Sequence, residues 1–308
     1  MIKRTLGEIP AGCRRRLLAH YGHGVETWLD AAPGLLAEAA ERWKLSLGDY
    51  FDAGHASVVA TATDLDGRPL LLKAWVDAGR YRREVAALRL WAAGPTAEVL
   101  AAGDDLSVAA LELVGGRPGG AGGPPGETQV VAAAIQGLHM LARRSTRLDG
   151  FPWLARYLQG EVVPRIQWRA HAFDAGVWRS LVDGALPALA DLEEDPSRTA
   201  VLHADLYREN VLFDQQAQPH LIDPLPIVGD TAFDWAFWAV YYDLGHGTEG
   251  RLVAASRTSR IPIPVLAPWC RLLALDGLLF YLETDDPRAP RMAEVLSNLS
   301  ASTSRSGT

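Results

Sequence analysis

The sequence predicts an α+β fold: a small antiparallel sheet with one helix, then a mainly helical half. Three observations carry this expectation. The stretch SVVATATDLDGRPLLLKAW (57–75) sets two apolar, β-branched runs on either side of an Asp66-Gly67 turn, a strong hairpin signal. The segment GGRPGGAGGPPGE (115–127) is dense in Gly and Pro and interrupts any regular element. Beyond it, apolar residues recur mainly at helical spacing.

The elements follow in order. Residues 11–44 read as helical, with Leu35, Leu36, Ala39 and Trp43 at helical spacing. The hairpin comes next, then a helix over about 78–93 closed by Gly94-Pro95. AEVLAA and LSVAALELV are two further strand candidates, joined by Gly103-Asp104-Asp105. After the Gly/Pro segment, helices are expected over 128–143, 151–160, 174–194, 233–244 and 264–283. Short strand-like runs interrupt them at 210–213 and 221–222. The expected organisation is an N-terminal nucleotide-binding lobe with leading helices (1–114), a linker (115–127), a helical catalytic and substrate lobe (128–299) and a disordered tail (300–308).

Bulk composition narrows the class. A chain of 308 residues with 48% apolar and 22% charged content suits an ordinary soluble protein. The charged N-terminus lacks an apolar signal region, and no run of about 18 uninterrupted apolar residues is present, so neither secretion nor a membrane span is expected. Cys13 and Cys270 are too few for a disulfide framework and read as reduced cytoplasmic thiols. A net charge of -7 argues against nucleic-acid binding and suits a cationic small substrate. Of 30 basic residues only Lys3, Lys44 and Lys73 are lysine, which makes a lysine inside the apolar strand PLLLKAW conspicuous.

The chemistry lies in VLHADLYRENVLFD, where His203, Asp205 and Asn210 form H-x-D-x-x-x-x-N, followed 13 residues later by Asp223 in HLIDPLP. These offsets are those of a kinase catalytic loop and its metal-binding Asp. Four such residues at fixed spacing arise by chance in roughly two in a thousand chains of this length. Phosphoryl transfer from ATP (or GTP) requires Mg²⁺, a hard cation held by oxygen donors, for which Asn210 and Asp223 are candidates. Asp205 would stand clear of the metal and take the acceptor's proton. His203 reads as a buried residue shaping the loop.

Upstream, Lys73 could reach the nucleotide phosphates and Glu84 could pair with it. A phosphate-covering loop is expected at FDAGHASVV, with Gly54 and Ser57 as contacts, although it is not a G-x-G-x-x-G. Glu112 and Val114 fall where a backbone would hydrogen-bond adenine. No G-x-x-x-x-G-K-[ST] occurs, so ATP binding does not come from a P-loop.

These motifs resemble the aminoglycoside phosphotransferase-like kinases, most closely the streptomycin 6-phosphotransferase and hydroxyurea phosphotransferase family. The resemblance runs through AAERWKL, EVAALRLW, LELVGG, GLHML, VLHADLYRENVLF and IDPLPIVGDTAFDWA. It implies a protein-kinase-like bilobal fold with adenine between the lobes and an antibiotic as acceptor. By that match Asp205 is the base, Asn210 and Asp223 are metal ligands, and Lys73 with Glu84 positions phosphate. Asp234 then braces the catalytic loop. Ala204 stands where related loops often carry Gly or Trp, and Tyr207 where His is common. Metabolic or self-protection kinases acting on a sugar, amino alcohol, hydroxyurea or peptide antibiotic share this catalytic set, and a non-catalytic nucleotide-binding protein could share the fold. Substrate candidates are Trp238, Tyr242 and Glu283, which offer aromatic and acidic surfaces to a cation. A monomer or weak dimer is expected.

Overall fold

The computed structural model describes residues 6–52, 56–120, 122–143, 148–172 and 175–304. It divides into two compact units, residues 1–92 with 96–114 and residues 93–95 with 115–308.

The first unit opens with helices Ala11–Tyr21 (α1) and Glu26–Arg42 (α2). The expected single helical stretch over 11–44 is thus broken. Gly22 takes φ +73°, which turns the chain into a short 3₁₀ segment, His23–Val25, before α2. Strands Ser46–Tyr50 (β1), Ser57–Thr63 (β2) and Pro69–Trp75 (β3) follow, then helix Ala78–Leu90 (α3) and strands Val99–Gly103 (β4) and Val108–Glu112 (β5). The sheet is antiparallel in the order β1-β2-β3-β5-β4.

Local chemistry explains the hairpin. The Asp64 carboxylate accepts the N–H groups of Asp66 and Arg68 at 2.9 and 2.8 Å, while Gly67 takes φ +81°. Asp77 caps α3 by accepting the Arg80 N–H at 2.9 Å. Leu17, Leu29 and Leu36 from the leading helices pack with Val58, Leu70 and Leu72 of the sheet in one buried cluster. Trp75, Tyr81, Val85 and Leu88 form a second cluster that packs α3 onto the sheet.

The second unit begins with strand Arg117–Pro118 (β6) and helix Glu127–Arg143 (α4). Helix Leu154–Tyr157 (α5) runs through a π turn, Leu158–Val162, into Val163–Ala172 (α6). The expected helix over 174–194 is shorter. Arg179–Ala185 (α7) is followed by a 3₁₀ segment, Leu186–Asp191, at Pro187. Strands Thr199–Leu202 (β7), Val211–Phe213 (β8), Pro219–Leu221 (β9) and Ile227–Asp230 (β10) come next. The unit closes with helices Ala232–Tyr241 (α8), Thr248–Ser259 (α9), Ile263–Glu283 (α10) and Ala289–Ser304 (α11).

Two small antiparallel sheets, β10-β7 and β6-β8-β9, frame the segment between β7 and β8. Helix α10 is long and apolar enough to cross a membrane by length and composition, but most of that stretch is buried in the protein, where it packs on α6, α8 and α11.

The boundary between the units falls at Val114/Gly115, where the Gly/Pro-rich linker is expected to begin. Within 115–127 lie β6, which pairs with β8, and contacts to Glu127: the Gly120 N–H donates to the Glu127 carboxylate at 2.7 Å, and Tyr242 Oη donates to the same oxygen. A Cβ on Gly119 would lie 1.8 Å from Tyr242 Oη, so only glycine fits that close approach. Helix α11 continues through residues 300–304 of the tail.

Candidate active site

β7 delivers the chain to a loop that turns back into β8, and the predicted residues lie along it. Asn210 Nδ2 donates to the Asp205 backbone carbonyl at 2.8 Å and to its carboxylate at 2.9 Å. The amide nitrogen is thereby turned towards Asp205, and Asn210 Oδ1 is directed away from it. Asp223 is joined to the same loop by the backbone on both sides. The Ile222 N–H donates to the Asn210 carbonyl and the Leu225 N–H to the His203 carbonyl, each at 2.9 Å. Asp205, Asn210 and Asp223 are all partly exposed.

The loop is anchored from below by Asp234, in the first turn of α8. Its carboxylate accepts the backbone N–H groups of His203 and Ala204 at 2.9 and 2.8 Å and meets His139 Nε2 at 2.9 Å. Burial alone would raise the pKa of this carboxyl. Electrostatic and hydrogen-bond contributions from His139 and His203, including the His203 backbone N–H, outweigh burial and hold it below the usual carboxylate range. His203 is itself buried, which pushes its imidazole down to about 4, against the charges of Asp234 and Asp223 and a hydrogen bond to the Ile222 backbone. Its ring therefore fills the space under the loop as a neutral group.

Ala204 and Asp223 both take left-handed backbone conformations, φ +57° and +55°. Such a residue is strained by about 1 kcal/mol or more when it carries a side chain. This gives a physical reason why glycine would be favoured at position 204.

In the first unit, Lys73 and Glu84 form a buried pair, Nζ to Oε1 at 2.5 Å, with side chains 9% and 1% exposed. Trp75 Nε1 donates to the second Glu84 oxygen at 2.7 Å, and Lys73 Nζ lies 4.8 Å from the Trp75 ring centroid. Both carboxylate oxygens are used, so Glu84 is held in one orientation.

Other predicted residues fare differently. Gly54 lies outside the described residues. Ser57 is 3% exposed at the start of β2, paired opposite Trp75, so it presents no open side chain to a phosphate. Glu112 ends β5, and its N–H is taken by the Glu98 carbonyl at 2.9 Å. Val114 is the last residue of the first unit.

Of the substrate candidates, Trp238 and Tyr242 are corrected. Every residue of α8 from Ala232 to Tyr241 is buried, and Trp238 stacks edge-on with Trp235 and Tyr242 in the core. Tyr242 is 4% exposed and its hydroxyl is committed to Glu127. The aromatic spacing in WAFWAVYY reflects packing. Glu283 is partly exposed and paired with Arg169, Nε to Oε2 at 2.7 Å.

Tyr207, which stands where His is common in related loops, joins an aromatic group drawn from distant segments. Tyr207 packs on Phe237 and Tyr241, at 5.1 and 5.5 Å between ring centroids. Burial raises the pKa of its hydroxyl, and the charges of Asp205, Tyr281, Asp276 and Tyr157 raise it further. Helices α6 and α10 bring together a second set: Arg165 and Arg169, one turn apart on α6, pair with Asp276 and Glu283, two turns apart on α10.

A cavity of about 810 Å³ opens elsewhere in this unit, lined by residues 115–118, 122–125 and 213–217. It touches none of Asp205, Asn210 or Asp223.

The donor set suits magnesium. Among the described residues no three His, Cys, Asp or Glu side chains are gathered as a metal site. One carboxylate and one amide oxygen on a loop match an ion that is bound through few protein oxygens and completes its shell with phosphate and water.

A hydrogen-bonded Asp/Asn loop in a helical unit, together with a sheet carrying a buried Lys–Glu pair, defines a protein-kinase-like phosphotransferase that acts on a hydroxyl acceptor. The chain belongs to the aminoglycoside/hydroxyurea antibiotic resistance kinase family, whose model matches residues 42–262. It is 28% identical over 228 residues to a streptomycin 6-kinase of Streptomyces griseus, covering 73% of this chain and 72% of that one. In fold it is similar to a protein described as a fructosamine-3-kinase from Thermobifida fusca, at TM-score 0.62 and 21% identity over 86% of this chain and 98% of that one. It is similar also to a thermostable mutant of aminoglycoside phosphotransferase APH(4)-Ia in ternary complex with AMP-PNP and hygromycin B. There the TM-score is 0.60 and the identity 17%, over 86% of this chain and 97% of that one.

Proposed function

We propose that the protein is an ATP- and Mg²⁺-dependent O-phosphotransferase that inactivates an antibiotic, with streptomycin or a similar aminoglycoside as the leading acceptor. The observation that carries the reaction is the Asn210–Asp205 hydrogen bond on a loop anchored by Asp234. Asp205 orients the acceptor hydroxyl and takes its proton. Asn210 Oδ1 and the Asp223 carboxylate hold the metal, which neutralises phosphate charge when bound. Lys73, fixed by Glu84, engages the nucleotide phosphates, and the 112–114 segment meets adenine. The streptomycin 6-kinase relative supports the acceptor. On this reading the enzyme works in the cytoplasm, where ATP is supplied, as a monomer or weak dimer.

A second reading, a kinase of neutral sugar-like or hydroxyurea-like acceptors, is favoured by one observation. The acidic side chains Asp276, Glu283 and Asp286 of the second unit are each matched by an arginine of the same unit. A panel assay with Mg-ATP and streptomycin, hydroxyurea, viomycin and simple sugars tests both. Phosphorylated streptomycin is expected. Phosphorylation of sugars alone would overturn the antibiotic reading.

A further inference from the structure

Arg165, Asp276, Arg169 and Glu283 form a continuous chain of charges across α6 and α10. Arg165 donates to Asp276 through Nε and Nη2, at 3.1 and 2.6 Å. Arg169 donates to Asp276 through Nη1 at 3.1 Å and to Glu283 through Nε at 2.7 Å. Asp276 and Arg169 are 13% and 11% exposed, whereas Arg165 and Glu283, at 34% and 27%, reach solvent. The Arg169 guanidinium also lies 5.2 Å from the centroid of Phe280, a residue 43% exposed. Two cations and two anions therefore cancel across α6 and α10.

This chain is coupled to the reacting end of the loop through packing. Tyr207, two residues after Asp205, rests on Tyr241, and the Tyr241 hydroxyl donates to the Leu273 carbonyl of α10 at 2.8 Å. One turn further along α10 stands Asp276. Gly277 makes the approach possible, since a Cβ there would meet the Tyr241 ring at 3.1 Å. The π turn that leads into α6, Leu158–Val162, shifts the register of that helix.

We propose that Arg165 and Arg169 are specificity determinants which mask Asp276 and Glu283 and so set how much positive charge the acceptor carries. The proposal rests on phosphoryl transfer at Asp205. Bare carboxylates at these positions would attract a polycation and hold its ammonium or guanidinium groups. With the arginines in place, acceptor binding draws on aromatic faces and neutral hydrogen bonds, and added cationic groups gain little.

The test compares two probes, streptomycin as a polycation and hydroxyurea as a neutral acceptor, in two double variants. Arg165→Gln with Arg169→Gln is expected to raise the ratio of kcat/KM for streptomycin over hydroxyurea by about tenfold or more. Asp276→Asn with Glu283→Gln is expected to lower it by a similar factor. A purely structural role would depress both acceptors in both variants and leave the ratio fixed, and an unchanged ratio would overturn the proposal. Thermal unfolding confirms that each variant is folded. Streptomycin binding by calorimetry at low salt reads the same shift without turnover: tighter binding by the arginine variant is expected, and equal binding overturns the proposal. Absence of phosphorylation alongside a shifted affinity would count against the proposed reaction alone.

Discussion

Asn210 holds Asp205 at two points, its amide nitrogen donating to both the backbone carbonyl and the carboxylate of that residue. One side chain thus fixes the direction of the proposed base and, through its own oxygen, offers a metal ligand. Asn210→Asp would turn the donor into an acceptor and set two carboxylates against each other. Repulsion would raise the pKa of one of them and displace Asp205. Steady-state kinetics should show kcat lowered about 100-fold or more, with the fold intact by circular dichroism.

Asp234 receives two backbone N–H groups and a histidine in a buried place, so Asp234→Ala should leave those donors without partners. Each costs roughly 1–3 kcal/mol, which predicts a fall in Tm of roughly 10 °C by calorimetry. Acid should act on the same anchor. The folded pKa of His203 is depressed from 6.5 to about 4, so below pH 6.5 the unfolded chain takes up a proton that the folded chain refuses. Stability should therefore fall as pH drops from 6.5 towards 4, by about 3 kcal/mol at the limit. The lowered pKa of Asp234 adds a loss below its unfolded value of 3.8. Replacing His203 with Gln should flatten the slope between pH 6.5 and 4 in urea titrations.

The buried Lys73–Glu84 pair predicts unequal damage from its two halves. Glu84→Ala takes a buried carboxylate away from the Lys73 ammonium and from the Trp75 indole N–H, a loss of about 3–5 kcal/mol. Lys73→Met keeps much of the volume and removes the charge, with Glu84 still bonded to Trp75. Lys73→Met should melt closer to wild type than Glu84→Ala does, yet lose the thermal stabilisation that Mg-ATP confers.

Gly119 packs against Tyr242 Oη and the Glu127 carboxylate, whereas Gly122 has nothing within 4 Å of a Cβ. Gly119→Ala should cost about 1–3 kcal/mol by breaking the Tyr242–Glu127 contact, and Gly122→Ala should be close to neutral. Urea unfolding of the two variants checks the pair.

Local signals made much of this molecule readable. The Asp66-Gly67 turn, the lone lysine in PLLLKAW and the offsets from Asp205 to Asn210 and Asp223 all act within a few residues or one hairpin. Other features were hidden because distant segments create them. Residues 199–202 and 227–230 are strands only because they pair with each other, and neither run is long enough to announce itself. Gly and Pro in 115–127 suggest a linker, and the close packing of those glycines around Glu127 is not legible from composition. Trp238 and Tyr242 sat at a spacing that suits either a ligand face or a core, and both are buried in the structure. Helix α9, mostly polar, carries a weak apolar pattern and went unread. The link from Tyr207 to Asp276 joins residues almost 70 positions apart, beyond any motif.

The central claim, that Asp205 takes the acceptor's proton during transfer from Mg-ATP, is tested most directly with Asp205→Asn. The amide keeps the size of the side chain and removes its basicity. Phosphorylated streptomycin, followed by mass spectrometry under single-turnover conditions, should form at least about 1,000-fold more slowly than in wild type, while Mg-ATP still raises Tm by the same amount. Transfer at the wild-type rate would contradict the assignment.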